Sequence, residues 1–386
     1  MKIGIYDPYF DTQGGGERYI LSIAEYYLNH GDQVDLFWSG DQGLVSKAIT
    51  RFSLNLEKLN IVPDIFNLSP NKTDLIDNLD NLKIYSHKNN QHLISKISHL
   101  VNIYHQTKKY DYFFFLSDGS LPFLFAKKNI IHLQVPFNFT HSLPSVIINF
   151  LKKKNYSSFI VNSQFTKRFV DNCYSINSTV IYPPVDISKF VSDSNKKNII
   201  LSVGRFDNLL NAKKQDILIE AYKKLINQSL ANNWKLVLAG GSHDQENQNQ
   251  YLNHLKHLAK DLPVEFVVNP DFKTLSNLYS SSKIYWHAAG YNVDENITPQ
   301  YTEHFGITVV EAMASGLVPL VVSKGGLVEI VKDSSNGYLW NSVDELVAKT
   351  NLLLGNQNLL NQLSSQSMVD AQKYTKEIFF TKLSNL

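Results

Sequence analysis

The sequence predicts an α/β protein built as two units with parallel sheets. Three observations carry this. Short β-rich runs alternate with helical patterns over nearly the whole length. Several of those runs are apolar on both faces, as strands covered by helices on each side must be. A length of 386 residues exceeds one ordinary core and favours two domains.

In the first half the strand candidates are KIGIY (2–6), QVDLFW (33–38), YFFFL (112–116), NIIHLQV (129–135) and SSFIV (157–161). ERYILSIAEYYLNHG (17–31) reads as a helix that Gly31 ends as a C′ residue. The prolines of IYPPVDISKF (181–190) and the polar VSDSNKKN after them mark a boundary. A first domain is therefore expected over 1–188 and a second over 189–368. The alternation restarts with NIILSVG (198–204), a helix through 214–227, WKLVLAGG (234–241), VEFVV (264–268), KIYWHAA (283–289) and LVPLVVS (317–323). The closing stretch places Tyr374, Ile378, Phe379 and Leu383 at helical spacing, predicting a terminal helix over 369–386.

Composition excludes several classes. Hydrophobic residues make up 43% and charged residues 19%, the balance of a soluble globular chain. A formal charge of +2 argues against a dedicated nucleic-acid binder. The single cysteine, Cys173, fits a reducing compartment. The N-terminal MKIGIYDPYF lacks the apolar run of a signal peptide. A cytoplasmic protein is expected. One segment, LPSVIINFLKKK (143–154), could rest on an anionic membrane face, with Ile147, Ile148, Phe150 and Leu151 buried and Lys152–Lys154 at the headgroups. A core-facing helix with a solvated basic end explains the same text.

The segment with most chemistry is EHFGITVVEAMASG (303–316). Thr308 followed three residues later by Glu311 reads as a capping box, which starts a helix at Thr308. Gly316 stops it. Phe305, Gly306 and Ile307 then offer backbone N–H groups at a helix N-terminus, an anion site suited to a diphosphate. Taken alone, the pattern is equally a self-capped helix beside a solvated Glu303.

The loop DTQGGGERY (11–19) follows the first strand and opens a helix, again the geometry of a phosphate cradle. A dinucleotide site would use Asp35 downstream, but there is no G-x-G-x-x-G and the connection Asp7–Gln13 is long for that fingerprint. His132 is either a satisfied core histidine or a group that orients a hydroxyl. Asp118, in SDGSLPF, is a cleft candidate or an ordinary Asp-Gly turn. His287 and Gly290 precede a polar loop, Tyr291–Thr302, read as a mobile pocket lining. No metal-ligand constellation is present, and a metal is not required where cations and helix N-termini can neutralise charge.

Glu303 and Glu311, with FGI between them and EAMASG after, resemble the E-x7-E signature of retaining GT-B glycosyltransferases of the family-4 type. VPLVVSKGGLVEIVKDSSNGYLW (318–340) is similar to that family's glycine pair, E-I-V helix and N-G turn. VGRFDNLLNAKKQDILIEAYKKL (203–225) is similar to its G-R-(F/L)…K…L-I-E-A segment. Order and spacing hold from residue 2 to the C-terminus. The resemblance implies two Rossmann-like domains facing across a cleft, with the terminal helix crossing back to the first. The donor would lie mainly on the C-terminal domain and the acceptor on the N-terminal one. The implied reaction moves a hexose from a GDP- or UDP-linked nucleotide sugar with retention of configuration. It uses front-face displacement and neither covalent nucleophile, metal nor further cofactor. EHFGI is locally most similar to GDP-mannose-dependent α-1,2-mannosyltransferases acting on a lipid-linked oligosaccharide, which leans the donor towards mannose. Glycan, lipid-linked and small-molecule acceptors all remain open.

By position, the resemblance gives Glu311 the ribose hydroxyls and Glu303 hydroxyls of the donor sugar. It gives the amides of Phe305, Gly306 and Ile307 the sugar and phosphate. Arg205 and Lys213 would neutralise the diphosphate. Lys214 is the alternative lysine, because the family has lysine then glycine where Lys213 is followed by Lys214. Gly14 and Gly15 match the N-terminal glycine pair, and Gly16 replaces a small residue. His132 resembles the histidine that reaches the reaction centre from the acceptor side. Asn269, Pro270 and Asp271 follow VEFVV, where the family places the base, yet none of them is decisive for it. A non-transferring nucleotide-sugar enzyme or a silent binding module on the same fold is the competing reading. The E-x7-E text counts against the first, and the retained Glu303, Arg205 and Glu311 against the second.

Overall fold

A computed structural model describes residues 1–8, 10, 14–52, 54–66, 93–117, 119–137, 151–207, 212–228, 231, 233–242 and 249–386. The chain separates into two units. The first contains Met1–Asn162, Thr166–Ile181 and Phe380–Leu386, and the second Ser163–Phe165 and Tyr182–Phe379.

The first unit runs β1 (Lys2–Tyr6), α1 (Gly15–Asn29), β2 (Gln33–Phe37), α2 (Gly43–Phe52), β3 (Asn60–Val62), α3 (Leu93–Thr107), β4 (Tyr112–Ser117), β5 (Lys128–Leu133), β6 (Ser158–Val161), α4 (Gln164–Tyr174) and β7 (Thr179–Val180). Its sheet has the order β3-β2-β1-β4-β5-β6-β7 with every pair parallel. Phe113, Phe114 and Phe115 on β4 are all fully buried, because successive side chains alternate between two covered faces. Asp35, buried in β2, accepts from the Tyr110 hydroxyl and from Asn60 Nδ2, each at 2.8 Å. A carboxylate so engaged is structural, which removes the last support for a dinucleotide reading.

The second unit runs β8 (Ile199–Val203), α5 (Gln215–Asn227), β9 (Lys235–Gly240), α6 (Gln250–Leu258), β10 (Val264–Val268), α7 (Phe272–Ser281), β11 (Ile284–His287), α8 (Ile307–Ala314), β12 (Val318–Val322), α9 (Leu327–Ile330), β13 (Tyr338–Trp340), α10 (Val343–Leu354), α11 (Gln357–Ala371) and α12 (Lys376–Leu383). The parallel order is β10-β9-β8-β11-β12-β13. In sheet-internal numbering this is 3-2-1-4-5-6, whose order reverses between β8 and β11. Ligands of such sheets bind beyond the strand C-termini at that switch point. Two short strands, β3 and β7, and the edge strand β13 carry too few residues to announce themselves by alternation.

The C-terminal region is more broken than a single helix over 369–386. Ser364 and Ser367 on α11 donate to the carbonyls of Gly316 and Leu317, at 2.6 and 3.1 Å. That keeps α11 with the second unit. A 3-10 turn at Gln372–Tyr374 separates it from α12, and Ile378 faces solvent while Phe379 and Leu383 are buried. Only from Phe380 does the chain join the first unit, where the Phe380 ring lies 5.3 Å from that of Tyr26. Lys128 Nζ donates to the Leu386 carbonyl at 3.1 Å.

Of the segment 143–154, residues 143–150 lie outside the described ones. Leu151 is exposed, but Lys153 is committed to protein, donating to the Tyr174 carbonyl at 2.6 Å. No helix among the described residues is long and apolar enough to cross a membrane.

Candidate functional site

At the switch point of the second sheet, β8 delivers Gly204 and Arg205, and β11 ends on His287. Lys213 Nζ lies 2.5 Å from Glu303 Oε2, and His287 Nε2 lies 3.2 Å from the same oxygen. The lysine stem crosses Gly204 so closely that a Cβ there would sit 2.4 Å from Lys213 Cγ. Arg205 Nε stands 3.2 Å from Asp207 Oδ2, and its guanidinium keeps substantial solvent access.

Lys214, not Lys213, is the residue in the left-handed region, with φ 52° and ψ 44° at the N-cap of α5. The position is one that glycine adopts at little cost. A lysine-glycine pair would therefore suit this backbone, and Lys213 is the lysine that reaches Glu303.

The turn that carries Glu303 rests on a glycine shelf. Gly326 N donates to the Glu303 carbonyl at 2.8 Å. A Cβ on Gly325 would lie 2.3 Å from Glu303 O, and one on Gly326 would lie 2.3 Å from His304 O. Gly325 N is also held by Glu295 Oε2 at 2.9 Å. The Tyr291–Thr302 loop is thus tied to the shelf through Glu295, and Pro299–Tyr301 within it forms a 3-10 turn.

The helix after Glu303 begins at Ile307, and its N-cap is Gly306 at φ 116°. The expected capping box is absent. Thr308 Oγ1 accepts from the Tyr285 hydroxyl at 2.8 Å, and Glu311 Oε2 accepts from the Tyr279 hydroxyl at 3.1 Å. Residues three apart share a helix face, and here that face turns inwards onto β11 and α7 instead of back onto the helix start. Phe305 is buried, and the Val309 and Val310 amides are already bonded to Gly306 O.

Electrostatically the cluster is tight. Burial by itself would raise the Glu303 carboxyl; the Lys213 ammonium and the His287 contact outweigh it and hold the group far below the carboxylate range. Burial pushes His287 down, against the pull of Glu303, so the ring is neutral at pH 7. Glu311 is buried, and the Glu303 side chain is largely so. Behind the site, Lys196 Nζ donates to the carbonyls of Ser280, Ser282 and Ser315 at 2.7–3.0 Å and ties the ends of α7 and α8 together.

In the first unit, Gly14 is the N-cap of α1, with Gly15 and Gly16 in its first turn. Gly14 N donates to Glu17 Oε2 at 2.5 Å, so that amide is already engaged. Gly16 makes room for Gln134, whose Oε1 would lie 2.2 Å from a Cβ there. His132 on β5 is 1% exposed, and its ring stacks on Tyr19 with centroids 3.9 Å apart. Neither ring nitrogen has a hydrogen-bond partner among the described residues. Burial pushes its pKa down to about 3, which suits a neutral hydrogen-bonding ring better than a proton acceptor. Asp118 lies outside the described residues. Among the described residues, no group of three or more His, Cys, Asp or Glu could hold a metal ion.

Sequence reasoning had Glu303, Arg205 and Lys213 near one another in role, and the fold brings Glu303 and Lys213 into contact. It missed the partners: His287 on Glu303 and Tyr279 on Glu311. The available signal for His287 was its place at the C-terminal end of a strand beside the switch point.

Residues 185–368 match the family model described as Glycosyl transferases group 1. A GDP-Man:Man(3)GlcNAc(2)-PP-Dol alpha-1,2-mannosyltransferase of Dictyostelium discoideum is 28% identical over 215 residues, covering 52% of this chain. The chain spans only 40% of that relative's length. An uncharacterized glycosyltransferase of Haemophilus influenzae is 24% identical over 393 residues, covering 97% of this chain and 96% of its own. Among solved structures, Anabaena HepE in complex with UDP and glucose superposes with a TM-score of 0.68 at 16% identity, covering 100% of this chain and 98% of HepE.

Proposed function

We propose that this chain, whose residues 185–368 form a group 1 glycosyl transferase domain on a GT-B fold, is a retaining glycosyltransferase. It moves a hexose, with mannose the leading candidate, from a nucleoside-diphosphate sugar to a glycan, lipid-linked or small-molecule acceptor. The observation that carries this reading is the convergence of Lys213 and Glu303 at the switch point, beside Arg205 and the start of α8. A carboxylate held ionised accepts hydrogen bonds from sugar hydroxyls. The neighbouring cations suit a diphosphate.

In the proposed reaction the bond between the anomeric carbon and the donor phosphate oxygen breaks. A bond to the acceptor hydroxyl oxygen forms on the same face, and the hydroxyl proton passes to the departing phosphate. Negative charge grows on that phosphate as it leaves. Arg205, Lys213 and the amides of the α8 N-terminus therefore stabilise the transition state more than the ground state. Glu303 holds the sugar and Glu311 the ribose. No covalent nucleophile or metal is invoked. The mannose assignment is supported by the likeness to the α-1,2-mannosyltransferase, while HepE binds UDP, so both bases belong in the test. A lipid-linked acceptor would bring the 143–154 segment to a membrane face.

A thermal-shift panel of UDP, GDP, ADP and their sugar conjugates tests the donor site. At least one nucleoside diphosphate should raise the melting temperature, and a flat panel would sink the assignment.

A further inference from the structure

Both protein contacts on the Glu303 carboxylate fall on one oxygen. Lys213 Nζ reaches Oε2 at 2.5 Å and His287 Nε2 reaches it at 3.2 Å. Oε1 makes no hydrogen bond among the described residues. His287 is 2% exposed and cannot swing to solvent. Its other nitrogen, Nδ1, faces the Ala289 N–H at 3.4 Å. An N–H facing Nδ1 makes that atom the acceptor, which puts the ring proton on Nε2, beside Oε2. The Nε2–H direction misses hydrogen-bond geometry with Oε2, so the ring acts on the carboxylate by contact and by the polarity of its Nε2–H edge, not through a directed bond.

We propose that His287 is a positioning residue for Glu303: together with Lys213 it commits Oε2 and holds Oε1 out to accept from a hydroxyl of the transferred sugar. The lysine alone could draw the carboxylate into several orientations, since an ammonium donates without directional preference. The ring, locked in β11 and in one tautomer, removes that freedom. The glycine shelf under residues 303–305 fixes the backbone, and His287 fixes the head group. The cluster thus separates two tasks: Lys213 supplies charge for the phosphate, and His287 supplies the geometry that reads the sugar.

This inference rests on the donor-site reading above, and the test separates the two. Calorimetric affinities of the full chain for GDP, GDP-mannose, UDP and UDP-glucose define a sugar increment, the ratio of nucleotide-sugar to nucleotide affinity. His287→Leu should lower that increment about tenfold, the scale of one hydrogen bond to a charged group, and leave nucleoside-diphosphate affinity within about twofold. His287→Gln, which keeps a polar N–H edge of similar reach against Oε2, should restore most of the increment. A full increment in His287→Leu, or equal loss in both variants, overturns the proposal. Long-range proton–nitrogen spectra of the wild-type chain need no variant: Nε2 protonated and Nδ1 bare is expected, and the reverse tautomer overturns it. If no nucleotide binds the wild type, the donor-site reading fails, and the tautomer still decides the His287–Glu303 arrangement.

Discussion

Lys213 Nζ and Glu303 Oε2 meet at 2.5 Å across ninety residues of sequence, with both side chains less than a fifth exposed. Each is the other's main source of charge compensation, and both are also proposed to contact the donor. Removing one leaves a mostly buried charge alone. Lys213→Ala and Glu303→Ala should each cost roughly 3 kcal/mol of stability, and the double variant clearly less than the sum. Urea unfolding of the four chains measures this, and strict additivity would mean the pair is not coupled.

Turnover divides the two glutamates. Glu303→Ala should abolish transfer, because the contact proposed for it is to the moving sugar. Glu311→Ala should weaken nucleotide binding about tenfold and leave residual turnover at saturating donor. Steady-state kinetics with a turnover-competent donor decide it. Unchanged kcat and KM in both variants would remove these residues from the site.

Lys214 carries a left-handed backbone that its side chain does not require. Lys214→Gly should stabilise the chain by about 0.5–1 kcal/mol, the left-handed penalty of a non-glycine residue less the extra freedom of glycine when unfolded. A loss of stability on chemical denaturation would show that the lysine side chain anchors the α5 start.

The shelf gives the opposite case. Gly325 has φ 61°, and a Cβ there meets the Glu303 carbonyl at 2.3 Å. Gly325→Ala should destabilise by about 2–3 kcal/mol through combined strain and clash. It should also weaken nucleotide-sugar binding, because the Glu303 turn must move. Denaturation and calorimetry on the same preparation test both.

Acid should unfold this protein partly through His132. Its folded pKa of about 3 lies below the unfolded value of about 6.5. Between those values the unfolded chain holds a proton there that the folded chain refuses. Stability is therefore full above about pH 6.5 and falls as pH drops, by about 1.4 kcal/mol per pH unit for this group. His287, also lowered by burial, acts in the same direction. His132→Phe should lose less stability between pH 7 and pH 4.5 than the wild type, read from urea midpoints. An equal loss would assign the acid sensitivity to other groups.

The sequence by itself determined the alternation of strands and helices, because strands buried on two faces must read as apolar runs such as FFF at 113–115. It suggested a boundary at the IYPP prolines, since proline ends regular structure through its own chain geometry. It also marked EHFGITVVE, where Gly306 punctuates the chain. Only the tertiary structure decided what the polar atoms do. Thr308 and Glu311 look like a self-contained cap in sequence, and the fold instead offers them tyrosine hydroxyls from β11 and α7. Spacing back from Glu220 favours Lys213 over Lys214 without saying what either touches; the left-handed turn at 214 leaves the preceding lysine to cross Gly204 and reach Glu303. His287 became visible as a partner only when β8 and β11 were paired at the point where the strand order reverses. Backbone periodicity is a local property and is written in neighbouring residues. The partner of a buried charge is set by which strand ends meet, and no local pattern records that.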